Sequence, residues 1–127
     1  MSAISTSQAP AAIGPYVQGV DLGSLVFTSG QIPLNPTTGE MATDIAQQTR
    51  QSLENVQAII EASGLQVADI VKTTIFVKDL NHFSQVNAVY EAFFREHDAA
   101  FPARSCVEVA RLPKDAGVEI EAMAARS

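Results

Sequence analysis

An arginine, a cysteine and a glutamate alternate in the segment ARSCVEVAR, as Arg104, Cys106 and Glu108, and two further glutamates alternate in VEIEA, as Glu119 and Glu121. Arginine carries a planar fork of donors that grips a carboxylate through two parallel hydrogen bonds. Arg104 can do that for a ligand, or it can solvate a surface or pair with Glu108, Glu119 or Glu121. Glu119, part-buried on a strand, can hold a water or relay a proton, or it can be an edge-strand charge that guards against aggregation. Cys106 is the lone thiol and, with His82 and His97, invites a Cys–His nucleophile. Both histidines fall near the ends of one helical segment, with no route to a strand interior, which favours Cys106 as a small packed residue. Tyr16, following Gly14-Pro15, is either a turn residue packing an arm or a hydroxyl aimed at a ligand.

Other chemistries find no purchase. The two histidines stand fifteen positions apart, without CxxC or HxxxH, so no metal-ligand spacing is present. Neither GxGxxG nor GxxxxGK[ST] appears. The net charge of -6, with no basic run, weighs against nucleic acid, whose binding rests on Lys and Arg neutralising phosphates. No apolar run reaches the ~20 residues of a membrane span. The opening MSAISTSQAP lacks the basic and apolar regions of a secretory signal, and a single cysteine forms no intrachain disulfide. The expectation is a cytoplasmic protein without a metal site.

The elements that must position these residues are legible in the pattern. At 127 residues and 46% apolar, the chain fits one domain, 1–127, with a packed core. Residues 17–30 read as two short strands interrupted at Leu22-Gly23. Thr43 is a plausible cap for a helix to about Ser63, with Ile45, Leu53, Val56 and Ile60 at helical spacing and Gly64 closing it. DIVKTTIFVK (69–78) is β-branched and reads as a strand. Asn81 suits the cap of a second helix to about His97, with Phe83, Val86, Tyr90 and Phe93 as its core stripe. Residues 103–111 and 118–125 alternate as strands. The order is ββαβαββ: an α/β (α+β) fold, a mixed sheet with two helices on one face.

Two helices cover one face of a sheet. Alternation places Val107, Val109, Val118, Ile120 and Ala122 toward the helices, and Arg104, Cys106, Glu108, Glu119 and Glu121 on the other face with Thr74 and Phe76. That mixture suits a polar seam between subunits, although many antiparallel sheets keep a wet polar face.

The run PARSCVEVARLPKDAGVEIEA (102–122) resembles the signature of the Rid (YjgF) family, and APAAIGPYVQG (9–19), FTSGQIPLNPTTGE (27–40) and DIVKTTIFVKDLNHFSQVNAVYEAFF (69–94) agree in order and spacing. The resemblance covers essentially the whole chain and points to the RidA subgroup. It implies a chorismate-mutase-like fold, a homotrimer with active sites in clefts between subunits, no metal and no organic cofactor. It implies hydrolysis of reactive 2-imino acids, 2-iminobutanoate and 2-iminopropanoate, to 2-keto acids and ammonia, protecting pyridoxal phosphate enzymes. In that reading Arg104 grips the substrate carboxylate and Glu119 positions or activates the water. Cys106 contributes mainly its backbone amide, and Tyr16, Ser29, Gly30 and Asn87 line the pocket. Three rivals stay open: a keto-acid-binding or chaperone-like trimer without catalysis, a ribonuclease, and a chorismate mutase. The charge balance counts against the ribonuclease, and shared fold alone does not imply the mutase.

Overall fold

The computed structural model describes all 127 residues, Met1–Ser127. In chain order the elements are β1 (Ser2–Ile4), β2 (Gly19–Asp21), β3 (Leu25–Thr28), α1 (Ile45–Ala62), β4 (Ile70–Val77), α2 (Phe83–Glu96), β5 (Ala103–Glu108) and β6 (Val118–Ala125). This is the expected order with an N-terminal strand added. At three residues, β1 is too short for alternation to declare it; it is held by pairing with β2.

The strands form one sheet in the order β1-β2-β3-β6-β4-β5. Every pairing is antiparallel except β4 with β5. Parallel neighbours need a long crossover, and α2 is that crossover. β6 returns from the far end of the chain to lie between β3 and β4, so the C-terminal segment becomes the centre of the sheet.

Helix boundaries follow capping chemistry. Asp44, not Thr43, caps α1, its carboxylate accepting from the Gln47 N–H at 3.0 Å. Gly64, at φ 88°, ends it as expected, with the Leu65 N–H reaching the Ile60 carbonyl and the Gly64 N–H that of Glu61. Asn81 does not cap α2. A single 3₁₀ turn over Leu80–His82 intervenes, started by Asp79, whose side chain accepts from the Asn81 N–H. β5 stops at Glu108 rather than running to 111, because its only partner strand stops at Val77.

Both helices pack on one face. Ile45, Leu53, Val56, Ile59 and Ile60 of α1 and Val86, Tyr90, Phe93 and Phe94 of α2 join Val26, Ile75, Val77, Val118, Ile120, Ala122 and Ala124 of the sheet in one core. Each fully buried Ile or Phe contributes about 1.5–3 kcal/mol of transfer free energy. The opposite face carries Phe27, Lys72, Thr74, Phe76, Glu119, Glu121 and Met123, and no element of the chain covers it.

The expected sidedness of β6 is observed and that of β5 is reversed. In the parallel register Arg104 stands opposite Thr73 and Cys106 opposite Ile75, so both face the helices. Val107 stands opposite Phe76 on the bare face and is 45% exposed. The apolar-inward rule assumes that a strand's apolar side meets its own chain's core. β5 is an edge strand reaching past that core, and its inward side is lined by α2 residues suited to an arginine.

Candidate active site

Arg104 enters the space between β5 and α2. Its Nη1 donates to Asn87 Oδ1 at 2.6 Å, and its guanidinium carbon lies 4.9 Å from the Tyr90 ring centre and 5.5 Å from that of Phe83. Phe83, Asn87 and Tyr90 recur at i, i+4 and i+7, so one face of α2 supplies all three. With Glu91, Phe101 and Pro102, Arg104, Asn87 and Tyr90 line a cavity of about 290 Å³.

The four other arginines, Arg50, Arg95, Arg111 and Arg126, each pair with a carboxylate; Arg104 pairs with none. Glu91, the one carboxylate lining its cavity, is held by Arg95 at 3.0 Å. The structural ion pairs available to Arg104 in sequence terms, with Glu108, Glu119 or Glu121, do not form. Glu108 instead accepts from the Leu80 N–H at 2.9 Å. Nε and Nη2 of Arg104 carry no partner within the chain, which leaves a two-pronged donor facing the cavity.

Cys106 is half-buried against the core. Burial pushes its thiol pKa up, against a smaller downward pull from the Arg104 charge, so it is a poor thiolate nucleophile at neutral pH. Neither histidine approaches it: His97 Nδ1 is engaged with the Phe93 carbonyl at 2.7 Å, and His82 lies at the start of α2. The backbone is more informative. β5 is the sheet's edge, and the Val109 N–H donates to the Val77 carbonyl at 2.9 Å. In a parallel ladder amides alternate between sides, so the Cys106 amide points away from β4, to the outer edge.

A second group of candidate residues gathers elsewhere. Glu119 stands opposite Phe76 on the bare face. Gly30 lies against it: a Cβ built at Gly30 would sit 2.9 Å from the Glu119 carboxyl carbon, and closer still to Oε2. Reciprocal backbone bonds between Gln31 and Ile120, at 2.8 and 3.1 Å, lock the two segments side by side. Glycine at 30 therefore leaves the space that the Glu119 carboxyl occupies. Glu119 has no hydrogen bond or ion pair with any side chain of the chain. Burial raises its pKa above the usual carboxylate range, and the Glu121 charge adds to the rise.

Tyr16 is half-exposed and lines a cavity of about 280 Å³ with Gly30, Gln31, Ile13, Pro113 and Lys114. Ser29 does not line that cavity; it ties the segment before Gly30 to the 17–18 backbone, its hydroxyl donating to the Val17 carbonyl at 2.6 Å and its amide to the Gln18 carbonyl at 2.8 Å. The seven residues singled out in the sequence thus fall into two groups. Arg104 and Asn87 line the helix-side cavity, with Cys106 on the same side of β5; Gly30 meets Glu119 on the bare face, Tyr16 shares a cavity with Gly30, and Ser29 precedes Gly30 in the chain. No single chain brings Arg104 and Glu119 to one face, which corrects their expected common side. Tyr90 and Phe83 were legible only as core residues; their i+3 and i−4 spacing from Asn87 was the available signal. No group of three or more His, Cys, Asp or Glu side chains assembles as metal ligands. No helix is long and apolar enough to cross a membrane.

The family model described as endoribonuclease L-PSP, which covers the Rid (YjgF) proteins, matches residues 6–126. The chain belongs to the Rid (YjgF) family. Its Rid relatives include a protein of Escherichia coli (strain K12) named 2-iminobutanoate/2-iminopropanoate deaminase, 72% identical over 123 residues, which cover 97% of this chain and 96% of that one. A protein of the same name from Salmonella typhimurium is 73% identical over the same shares. Among solved Rid structures, the E. coli YjgF gene product superposes with a TM-score of 0.99 at 69% identity over all of both chains. E. coli TdcF with bound serine does so at 0.99 and 62%, again over all of both chains. The mixed sheet with two helices on one face is thus the Rid fold.

Proposed function

We infer that this chain is a deaminase that hydrolyses reactive 2-imino acids, 2-iminobutanoate and 2-iminopropanoate among them, to 2-keto acids and ammonia. The observation that carries this reading is the state of Arg104: alone among the arginines it has no carboxylate of its own, and its free donors face a cavity sized for a small acid. The deaminase names of relatives 72% and 73% identical supply the reaction. The TdcF relative's bound serine supplies an instance of a small carboxylate ligand.

The chemistry asks little of the protein. The carbon of a protonated imine is already electrophilic. Arg104 holds the carboxylate through two parallel hydrogen bonds and so fixes where that carbon stands. Water adds to the carbon as Glu119, without an intrachain partner and made more basic than an ordinary carboxylate by burial, accepts a proton from that water. Glu119 returns that proton to the carbinolamine nitrogen, the C–N bond breaks as the C=O bond forms, and the hydroxyl proton released passes through Glu119 to the departing ammonia. An iminium acid and water become a keto acid and an ammonium ion, with no covalent enzyme intermediate. Cys106 serves through its outward amide and its packing.

Arg104 and Glu119 lie on opposite faces, so a working site takes Arg104, Asn87 and the Cys106 amide from one chain and Glu119, Gly30 and Tyr16 from another. The bare face, with apolar Phe27, Phe76, Val107 and Met123 beside Glu119 and Glu121, supports burial against further copies. A closed homotrimer with three equivalent clefts is the arrangement we propose, in the cytoplasm, without metal or organic cofactor.

The family description favours an endoribonuclease as a second reading. A net charge of -6, with four of the five arginines already paired to carboxylates, leaves little to neutralise a phosphate backbone. The test couples a pyridoxal-dependent threonine dehydratase to this protein and follows 2-ketobutyrate release. Release faster than in buffer, cut at least about 10-fold by Arg104→Ala, is expected. Release at the buffer rate, with keto acid still bound, would leave a binding protein without catalysis.

A further inference from the structure

Behind Arg104 lies a buried polar contact that the reaction does not use. Thr73 Oγ1 and the Tyr90 hydroxyl are 2.7 Å apart, and the two residues are 1% and 5% exposed. A phenylalanine at position 90 and a valine at 73 would fill the same volume without burying two hydroxyls. The pair is tied to Arg104 on both sides. Thr73 is the register partner of Arg104 across β4 and β5, and the Tyr90 ring lies under the guanidinium. Backbone ladder, hydroxyl pair and ring thus close a circuit from Arg104 through Thr73 and Tyr90 back to Arg104.

We propose that Tyr90, locked by Thr73, is a positioning residue that fixes the plane of the Arg104 guanidinium. A guanidinium bonded only through Nη1 to Asn87 could still rotate about that bond. Rings on α2 at 4.9 and 5.5 Å remove that freedom by attracting its flat face. Their partners differ. Phe83 is 37% exposed and free to shift, whereas Tyr90 is buried and its hydroxyl cannot slide without leaving Thr73. Tyr90 therefore sets the angle at which Nε and Nη2 meet a carboxylate, and Phe83 follows. The consequence for the reaction rests on the deaminase reading; the rigidity of Arg104 does not.

The test has two arms on the full-length protein. The first is the NMR order parameter of the Arg104 Nε–H. In the wild type it should match rigid backbone, about 0.85, and in Tyr90→Leu it should fall below about 0.6. The second is a cycle in kcat/KM. Tyr90→Leu should cost about 3- to 30-fold with Arg104 present, the range of a cation–π contact, and almost nothing in the Arg104→Ala background. Thr73→Val should repeat the pattern at about 2- to 10-fold, and Thr73→Ser should restore the wild-type value. Thr73→Val carries the test alone if Tyr90→Leu does not fold. A mobile Arg104 in the wild type, or equal losses in both Arg104 backgrounds, would overturn the positioning role. A rigid Arg104 that loosens in the variants, in a protein without imine turnover, would uphold positioning and remove the deaminase reading instead.

Discussion

Arg104 and Glu119 stand on opposite faces of one sheet, Arg104 opposite Thr73 under α2 and Glu119 opposite Phe76 where nothing covers it. Each lacks an intrachain ionic partner. An arginine and a glutamate that could neutralise each other are thus kept apart within the chain, as the proposed site between chains requires. A direct Arg104–Glu119 pair would occupy both the carboxylate anchor and the base.

Arg104→Ala should weaken 2-ketobutyrate binding by about 10- to 100-fold, since a hydrogen bond to a charged group is worth about 1.5–3 kcal/mol. Turnover should fall at least as far. Arg104→Lys should recover little, because a point charge replaces the fork and loses the ring stacking. Calorimetric titration beside the coupled assay checks this; full affinity in Arg104→Ala would remove the anchor role.

Gly30→Ala places a methyl where the Glu119 carboxyl now lies. The colliding group is the end of a flexible side chain, so stability should change little while the base is displaced. Misplacement of about 1 Å costs on the order of 10²-fold in rate. A melting curve and kcat together decide it: unchanged kcat would mean that the Glu119 position is immaterial.

Glu119 must be ionised to accept a proton, and its pKa is raised, first by burial and then by Glu121. The kcat/KM profile should therefore fall toward acid with a midpoint above the ordinary glutamate value of about 4.3. Removing the neighbouring charge in Glu121→Gln should move that midpoint down. The sign for stability is the reverse of a salt bridge: the folded state holds this proton more tightly, so the carboxylate is a penalty above the raised pKa. Glu119→Gln should then melt no lower than the wild type at pH 7 while kcat falls about 10²–10⁴-fold. A midpoint that ignores Glu121→Gln would contradict the assignment.

Cys106→Ala should keep much of the activity, since its amide remains and its thiol is held protonated by burial. Total loss with assembly and keto-acid binding intact would restore the nucleophile.

The helices, β4 and the β6 alternation could be read because each repeats a period over eight or more residues, and the shorter strands because turn residues bound them. Arg104 could be singled out as a candidate from residue type and family resemblance. What could not be read depends on pairing at a distance. Whether Arg104 and Cys106 face the helices is fixed by the β4–β5 register, and the local pattern of ARSCVEV, with valines at 107 and 109, argues for the wrong side. The Gly30–Glu119 contact spans most of the chain and rests on the Gln31–Ile120 bridge, outside any named strand. Tyr90 read as core, and it is core; its second role appears only once Arg104 is seen above its ring.

The split site is tested most directly by mixing two strongly impaired proteins. Arg104→Ala and Glu119→Gln are unfolded together in equal amounts, refolded, and assayed for 2-imino acid hydrolysis. If each site takes Arg104 from one chain and Glu119 from the next around a closed ring, random assembly rebuilds about one intact site in four, and activity returns to about a quarter of wild type. Activity no higher than that of the two parents, in assemblies that demonstrably contain both variants, would contradict the account.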